Sequence, residues 1–261
     1  MLTLSTAQLD AWLALFIYPL ARVSGIVVVA PLYSHQSIPQ RVKVLLVLAL
    51  TISVAPLAGS MPDVPPASGT GLAILAGQFL IGLTIGFVMR LVFAAIDMAG
   101  ELTGLQMGLG FATFFDPTNS TNTPVVAQLY GLFAMLFFLA FNGHLIVIGL
   151  LVKSFEMMPI ASFAAGSFDA IAIARYGQQV FMVGLLFALP IVAALLAANL
   201  ALGVLTRAAP QLNLFAVGFP ATIFGGIVLL MLLLPALLPL FEGIFMQSAN
   251  FALDCNSSGA P

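Results

Sequence analysis

Charge is what this sequence has least of. Only 6% of its 261 residues are Asp, Glu, Lys or Arg, while 62% are hydrophobic. Soluble domains carry about 25% charged residues. A surface this poor in charge cannot face water over its whole extent, and a mean hydropathy of +1.17 agrees. The chain is read as a membrane protein, or as one covered by partner subunits. Cations are scarcer still, at seven Lys plus Arg with a net charge of −2. With no basic run, nucleic-acid binding has no electrostatic footprint. Cys255 is the single cysteine and there are two histidines, so no internal disulfide and no Cys/His zinc site can be assembled. No positive residue precedes the first apolar stretch, which argues against a cleaved signal peptide. Nucleotide loops of the Gly-rich Lys-Ser/Thr type, HExxH and GxSxG are all missing. The reading is no catalysis, no cofactor and no metal.

What is present is apolar length. Six regions can be drawn, at Trp12–Leu32, Val42–Ala58, Gly71–Ala95, Val125–Val152, Tyr176–Leu205 and Leu214–Met246. Each meets or approaches the ~20 residues that a helix needs to cross ~30 Å of hydrocarbon. Val125–Val152 would be ~42 Å as one helix, and its Asn142-Gly143-His144 step reads as a kink or tight hairpin. Pro220, Pro235 and Pro239 interrupt the last region, so broken helices and clean rods are both open. Short polar connections join the regions, and Lys153–Arg175 is a longer, mildly amphipathic linker. No internal repeat stands out. A single domain over 1–261 is expected, with a short unstructured tail at about 248–261. Positive-inside counting puts Arg41, Lys43 and Arg207 on one side against Lys153 and Arg175 on the other, which decides little.

Polar and small residues gather on one line. If Gly86–Gly108 is a helix, Gly86, Arg90, Asp97, Glu101, Gly104 and Gly108 fall within about 40° of each other. Gly100, Gly104 and Gly108 repeat the small-xxx-small spacing that lets helix backbones approach closely. That spacing fits packing inside the chain or against another subunit. Arg90, Asp97 and Glu101 fit mutual neutralisation near a helix end, an aqueous path, or a partner's charge. Arg22, within LFIYPLARVSGIVVVAPL, has no partner nearby in sequence and must find a carboxylate or carbonyls elsewhere. Gly110 to Thr123 reads as a loop, bulky at Phe111, Phe114 and Phe115 and polar from Asp116 onward. Thr123-Pro124 can open the next helix.

Four stretches occur in order: RVSGIVVVAPLYSHQSIPQRVK (Arg22–Lys43), GELTGLQMGLGFATFFDP (Gly100–Pro117), FNGH (Phe141–His144) and RAAPQLNLFAVGFP (Arg207–Pro220). Together they resemble the FliR family, the flagellar branch of the inner-membrane type III export gate proteins. The resemblance marks Asn142, Gly143, His144, Pro210, Asn213, Phe215, Gly218, Phe219 and Pro220 as signature positions. It implies an all-α fold of tilted membrane-type hairpins, some kinked or broken, packed with homologous FliP and FliQ subunits into a helical pore. FlhB and FlhA would lie nearby, and the cargo would be unfolded flagellar export substrates. The setting would be the bacterial inner membrane and flagellar basal body, with much of the assembly at the periplasmic face. The segment matching Gln106–Asn122 would plug the pore through Gln106, Met107, Gly110, Phe111, Phe114, Phe115 and Asp116. The rival class is a self-contained secondary transporter using Arg90, Asp97 and Glu101.

Overall fold

The computed structural model describes residues 6–110, 124–162, 170–208 and 214–257. Every regular element among them is helical. In chain order they are α1 (Thr6–Val29), α2 (Gln40–Val54) with a 3-10 turn at Ala55–Leu57, α3 (Gly69–Gln106), α4 (Val125–Ala140) and α5 (Gly143–Met157). A 3-10 turn at Ile160–Ser162 leads to α6 (Ala170–Tyr176), α7 (Gln178–Ala208) and α8 (Leu214–Ser257). Among the described residues five helices are long and apolar enough to cross a membrane, at Gln8–Val29, Gln40–Leu57, Gly69–Gln106, Ala170–Arg207 and Gly218–Cys255, and the count is six if the bent pair α4 and α5 is taken as one span. The fold is thus the all-α, membrane-type architecture that the apolar lengths predict.

Local chemistry sets the ends. The Ser68 Oγ accepts the Gly71 N–H at 3.0 Å and caps α3. At the other end of α3, Gly108 takes φ 86°. The Gly108 N–H reaches the Leu105 carbonyl at 3.0 Å and the Leu109 N–H reaches the Gly104 carbonyl at 3.1 Å. This pair of bonds is a Schellman closure, which needs a left-handed residue that glycine supplies most easily. The α4–α5 break falls on Asn142, at φ 58° and ψ 33°, a conformation that Asn tolerates better than most residues. Asn142-Gly143-His144 thus interrupts the long apolar region, between α4 and α5.

Of the broken helix and the clean rod left open for the last region, the rod is the one formed: α8 runs unbroken through Pro220, Pro235 and Pro239. Membrane helices absorb proline by re-satisfying the freed carbonyls through neighbouring side chains and local adjustment. One expectation needs correction. The same helix continues to Ser257, so residues 248–257 are not an unstructured tail. Ser248, Ala252 and Cys255 are buried there, which gives the turns past Met246 something to pack on.

The chain groups into two compact units. The first comprises Met1–Arg90, Asn142–Tyr176 and Phe245–Pro261; the second comprises Leu91–Phe141 and Gly177–Ile244. In the first, α1 and the beginning of α3 meet through glycine. A side chain on Gly82 would collide with the Arg22 carbonyl, and one on Gly86 would lie 3.0 Å from the Ala30 nitrogen. Tyr176 stacks on Phe251 with ring centroids 3.9 Å apart and shares a 2.9 Å hydrogen bond with Ser248. The second unit has an aromatic core. Phe93 packs edge-on to Phe138 and Phe241 at 5.6 and 5.7 Å.

Candidate functional site

Three places carry the polar and small residues singled out above: the buried Arg22, the charged and glycine line of α3, and the end of α3 at Gln106–Gly110.

Arg22 is 0% exposed in the first unit. Its Nε donates to Gln78 Oε1 at 2.9 Å. One terminal nitrogen donates to the Ser154 carbonyl at 2.7 Å and to Ser154 Oγ at 3.1 Å. The other donates to Gln78 Oε1 and, at 2.8 Å, to the Met158 carbonyl. The guanidinium also lies over the Phe155 ring, 4.2 Å from its centroid. Of the two solutions left open in sequence, carbonyls win over a carboxylate. The counter-charge has a clear origin. Ser154 and Met158 stand at the C-terminal end of α5, where aligned peptide dipoles sum to about half a negative charge. Gln78, Ser154 and Phe155 escaped the sequence reading. A lone Gln inside GLAILAGQFLIG was the available signal.

The line on α3 is real but shorter than expected. Arg90, Asp97 and Glu101 are all exposed. An enclosed site of the transporter kind would bury them around a cavity, and exposure on one helix face is the opposite arrangement. Gly100 and Gly104 lie on the helix and pack within the chain. A Cβ on Gly100 would stand 2.5 Å from the Ala127 Cα, and one on Gly104 would stand 3.3 Å from the Val126 Cβ. Gly86 likewise faces α1. Of the two readings of this spacing, the intrachain one accounts for these contacts. Gly108 is not on the helical line at all. It is the C-terminal cap, and a Cβ there would meet the Phe219 ring at 2.6 Å.

The residues just past α3 are anchored in the second unit. Met107 is 3% exposed. Its side chain fills the space left by Gly226, where an added Cβ would approach it to 2.7 Å. The Thr222 hydroxyl donates to the Met107 carbonyl at 3.1 Å. Met107 is therefore a buried anchor here rather than a side chain projecting into a lumen, because a glycine opposite makes room for it. Gln106 is half-buried. Phe111, Phe114, Phe115 and Asp116 lie outside the described residues, and Gly110 is the last one described before them.

The signature positions divide similarly. Asn142 turns the chain, Gly143 is buried, and the His144 carbonyl accepts the Tyr33 hydroxyl at 2.9 Å. Burial pushes the Tyr33 phenol above its usual range, which keeps it a donor. Gly218 is buried and Phe219 covers Gly108. Pro220 is exposed inside α8. Phe215 lies on the first turn of α8, and Pro210 and Asn213 fall outside the described residues. Among the described residues no group of three or more His, Cys, Asp or Glu side chains could hold a metal.

With this geometry in hand, similarity to known proteins is extensive. The sequence profile of "Bacterial export proteins, family 1" matches residues 13–248. The chain is 43% identical over 256 residues to the protein named flagellar biosynthetic protein FliR of Escherichia coli (strain K12), covering 97% of each. It is 44% identical over 254 residues to the protein of that name in Pectobacterium carotovorum subsp. carotovorum, again covering 97% of each. In Buchnera aphidicola subsp. Acyrthosiphon pisum (strain APS) a protein of that name is 33% identical over 246 residues, covering 94% of each. These relatives are named for flagellar biosynthesis and not for an enzymatic reaction. The chain belongs to the bacterial export protein family 1, as a flagellar biosynthesis and export component with membrane-spanning helices.

Proposed function

We propose that this chain is a channel subunit of the flagellar export gate, closing a pore built with FliP and FliQ and supplying the loop that obstructs it. Unfolded export substrates pass when the loop moves aside, and the work of moving them comes from elsewhere in the apparatus. FlhB and FlhA are the neighbours this reading implies, in the bacterial inner membrane.

The observation that supports it best is helix length combined with exposed apolar surface. The 38 residues of α3 correspond to ~57 Å of helix, against ~30 Å of hydrocarbon. Fitting that rise inside the core needs a tilt of about 58°, beyond the 0–40° range of membrane helices. The 44 residues of α8 demand still more. Yet α8 carries exposed apolar side chains well along its length, with Phe224, Met231 and Leu232 70–72% exposed. Apolar surface that overruns the bilayer requires protein to cover it, and homologous hairpins provide a matching cover.

Support for a plug in the segment Gly110–Thr123 comes from the residues that precede it: Met107 and Gly108 are held by Thr222, Gly226 and Phe219. Deleting Gly110–Thr121 should leave the complex assembled and let the membrane leak ions or small solutes. A deletion mutant with normal assembly and unchanged permeability refutes the plug.

A further inference from the structure

One hydroxyl near the end of α3 has two acceptors and a single proton. Thr222 Oγ1 donates to the Met107 carbonyl at 3.1 Å and to the Phe219 carbonyl of its own helix, also at 3.1 Å. A threonine hydroxyl carries one donor hydrogen, so the two carbonyls share it. Back-bonding to a carbonyl one turn earlier is common for threonine within a helix. The bond to Met107 is the distinctive one. It ties α8 to a residue 115 positions away in sequence, just past the last residue of α3.

The rest of the contact is shape. Phe219, Thr222 and Gly226 stand at i, i+3 and i+7 of α8 and so share one face. Along that face the Phe219 ring covers Gly108, and the Met107 side chain fills the hollow at Gly226. A Cβ on Gly226 would stand 2.7 Å from both Cγ and Cε of Met107. Thr222 is 5% exposed and Met107 3%, and all five residues belong to the second unit. None of them is charged, so the hold consists of one shared hydrogen bond and close packing. We propose that Thr222 is the positioning residue of the gate: it holds Met107 in the closed state and lets it go on opening. The donor loses little in that step, because the Thr222 hydroxyl keeps the Phe219 carbonyl when the Met107 carbonyl leaves. A donor with no second acceptor would be stranded in the protein and would resist release. This inference rests on the reading of Gly110–Thr123 as the plug, and it names the residue that controls that plug.

The test pairs two measurements on the full chain co-expressed with its complex. Amide hydrogen exchange is followed at residues 107–109 of the purified complex, and ion leak is measured in cells carrying the same variants. Thr222→Val keeps the side-chain shape but leaves the Met107 carbonyl without this donor in the closed state. Exchange at 107–109 should rise about fivefold, the weight of one net hydrogen bond, and the membrane should leak. Thr222→Ser retains the hydroxyl and should stay tight. Gly226→Ala crowds Met107 out of its hollow and should leak as Thr222→Val does. Gly100→Ala, which strains α3 against α4 away from this contact, should stay tight. An intact Thr222→Val complex with parental exchange and no leak overturns the inference. A leak in Thr222→Ser matching that in Thr222→Val denies the hydroxyl its role, and an equal leak in Gly100→Ala reduces the effect to general loosening; either overturns it. Deletion of residues 110–121 separates the two claims. A leaking deletion beside a tight Thr222→Val removes only the release point, whereas a tight deletion removes the plug and this inference with it.

Discussion

At the scale of single residues, Arg22 shows how a cation is tolerated within an apolar span without a carboxylate. Its N–H groups reach Gln78, Ser154 and Met158, and the helix end behind those acceptors supplies diffuse negative charge. This predicts a particular pattern of substitution. Arg22→Met removes the charge but strands the Gln78 and carbonyl acceptors, each orphaned group costing about 1–3 kcal/mol. Gln78→Leu strands the guanidinium in turn. Each single variant should lower the thermal midpoint of the purified complex by several degrees. The double variant should cost less than the two losses added, with a coupling above about 1 kcal/mol. Strict additivity would show that the two side chains do not depend on each other. Arg22→Lys should not rescue, because an ammonium cannot span acceptors on both α3 and the end of α5 as the planar fork does. That Arg22 needed distant oxygens was legible in the sequence, since nothing near it could neutralise it. Which oxygens could not be read, because Ser154 lies 132 positions away.

At the scale of elements, the glycines of α3 look alike in sequence but differ in what they touch. Gly100 faces backbone, with an added Cβ 2.5 Å from the Ala127 Cα, whereas Gly104 faces the Val126 side chain at 3.3 Å. Backbone cannot yield without moving a helix, while a side chain can rotate or shift. Gly100→Ala should therefore destabilise by about 1–3 kcal/mol, the usual cost of overpacking a tight contact. Gly104→Ala should stay within about 1 kcal/mol, its clash offset by the better helix propensity of alanine. Melting of the two variants in the same detergent decides it, and equal losses would contradict the contact assignment. The small-xxx-small spacing thus announced close approach correctly but could not say to what. Gly108 extends the spacing by arithmetic alone. Its φ of 86° caps a helix that ends at Gln106, and GLG following a long periodic run was the local signal for that cap. The continuous path of α8 through Pro220, Pro235 and Pro239 was beyond sequence reasoning for the opposite reason. Proline removes a backbone donor wherever it stands, and whether the helix survives is decided by neighbours that sequence does not name.

At the scale of the whole molecule, the six apolar regions and the scarcity of charge were readable because they follow from length and composition, which need no tertiary information. The segment proposed as a plug was visible as a break in that pattern, with Phe111, Phe114, Phe115 and Asp116 beyond the described residues. What composition leaves open is whether exposed apolar surface meets lipid or protein, and this can be measured directly. Met231 of α8 is 70% exposed and Phe241, one helical stretch further on, is 0% exposed. A photoreactive amino acid at Met231, illuminated in intact cells, should yield a covalent adduct with another protein of the flagellar export apparatus. The same probe at Phe241 should give only products within the chain. The expectation follows from helix length, because ~66 Å of apolar α8 cannot all lie within ~30 Å of hydrocarbon. Repeating the experiment along the exposed face, from Phe224 through Ile227 and Leu232, maps where protein gives way to lipid. If every exposed position of α8 yields lipid adducts alone, the helix is bathed in bilayer and the subunit-covered pore is wrong.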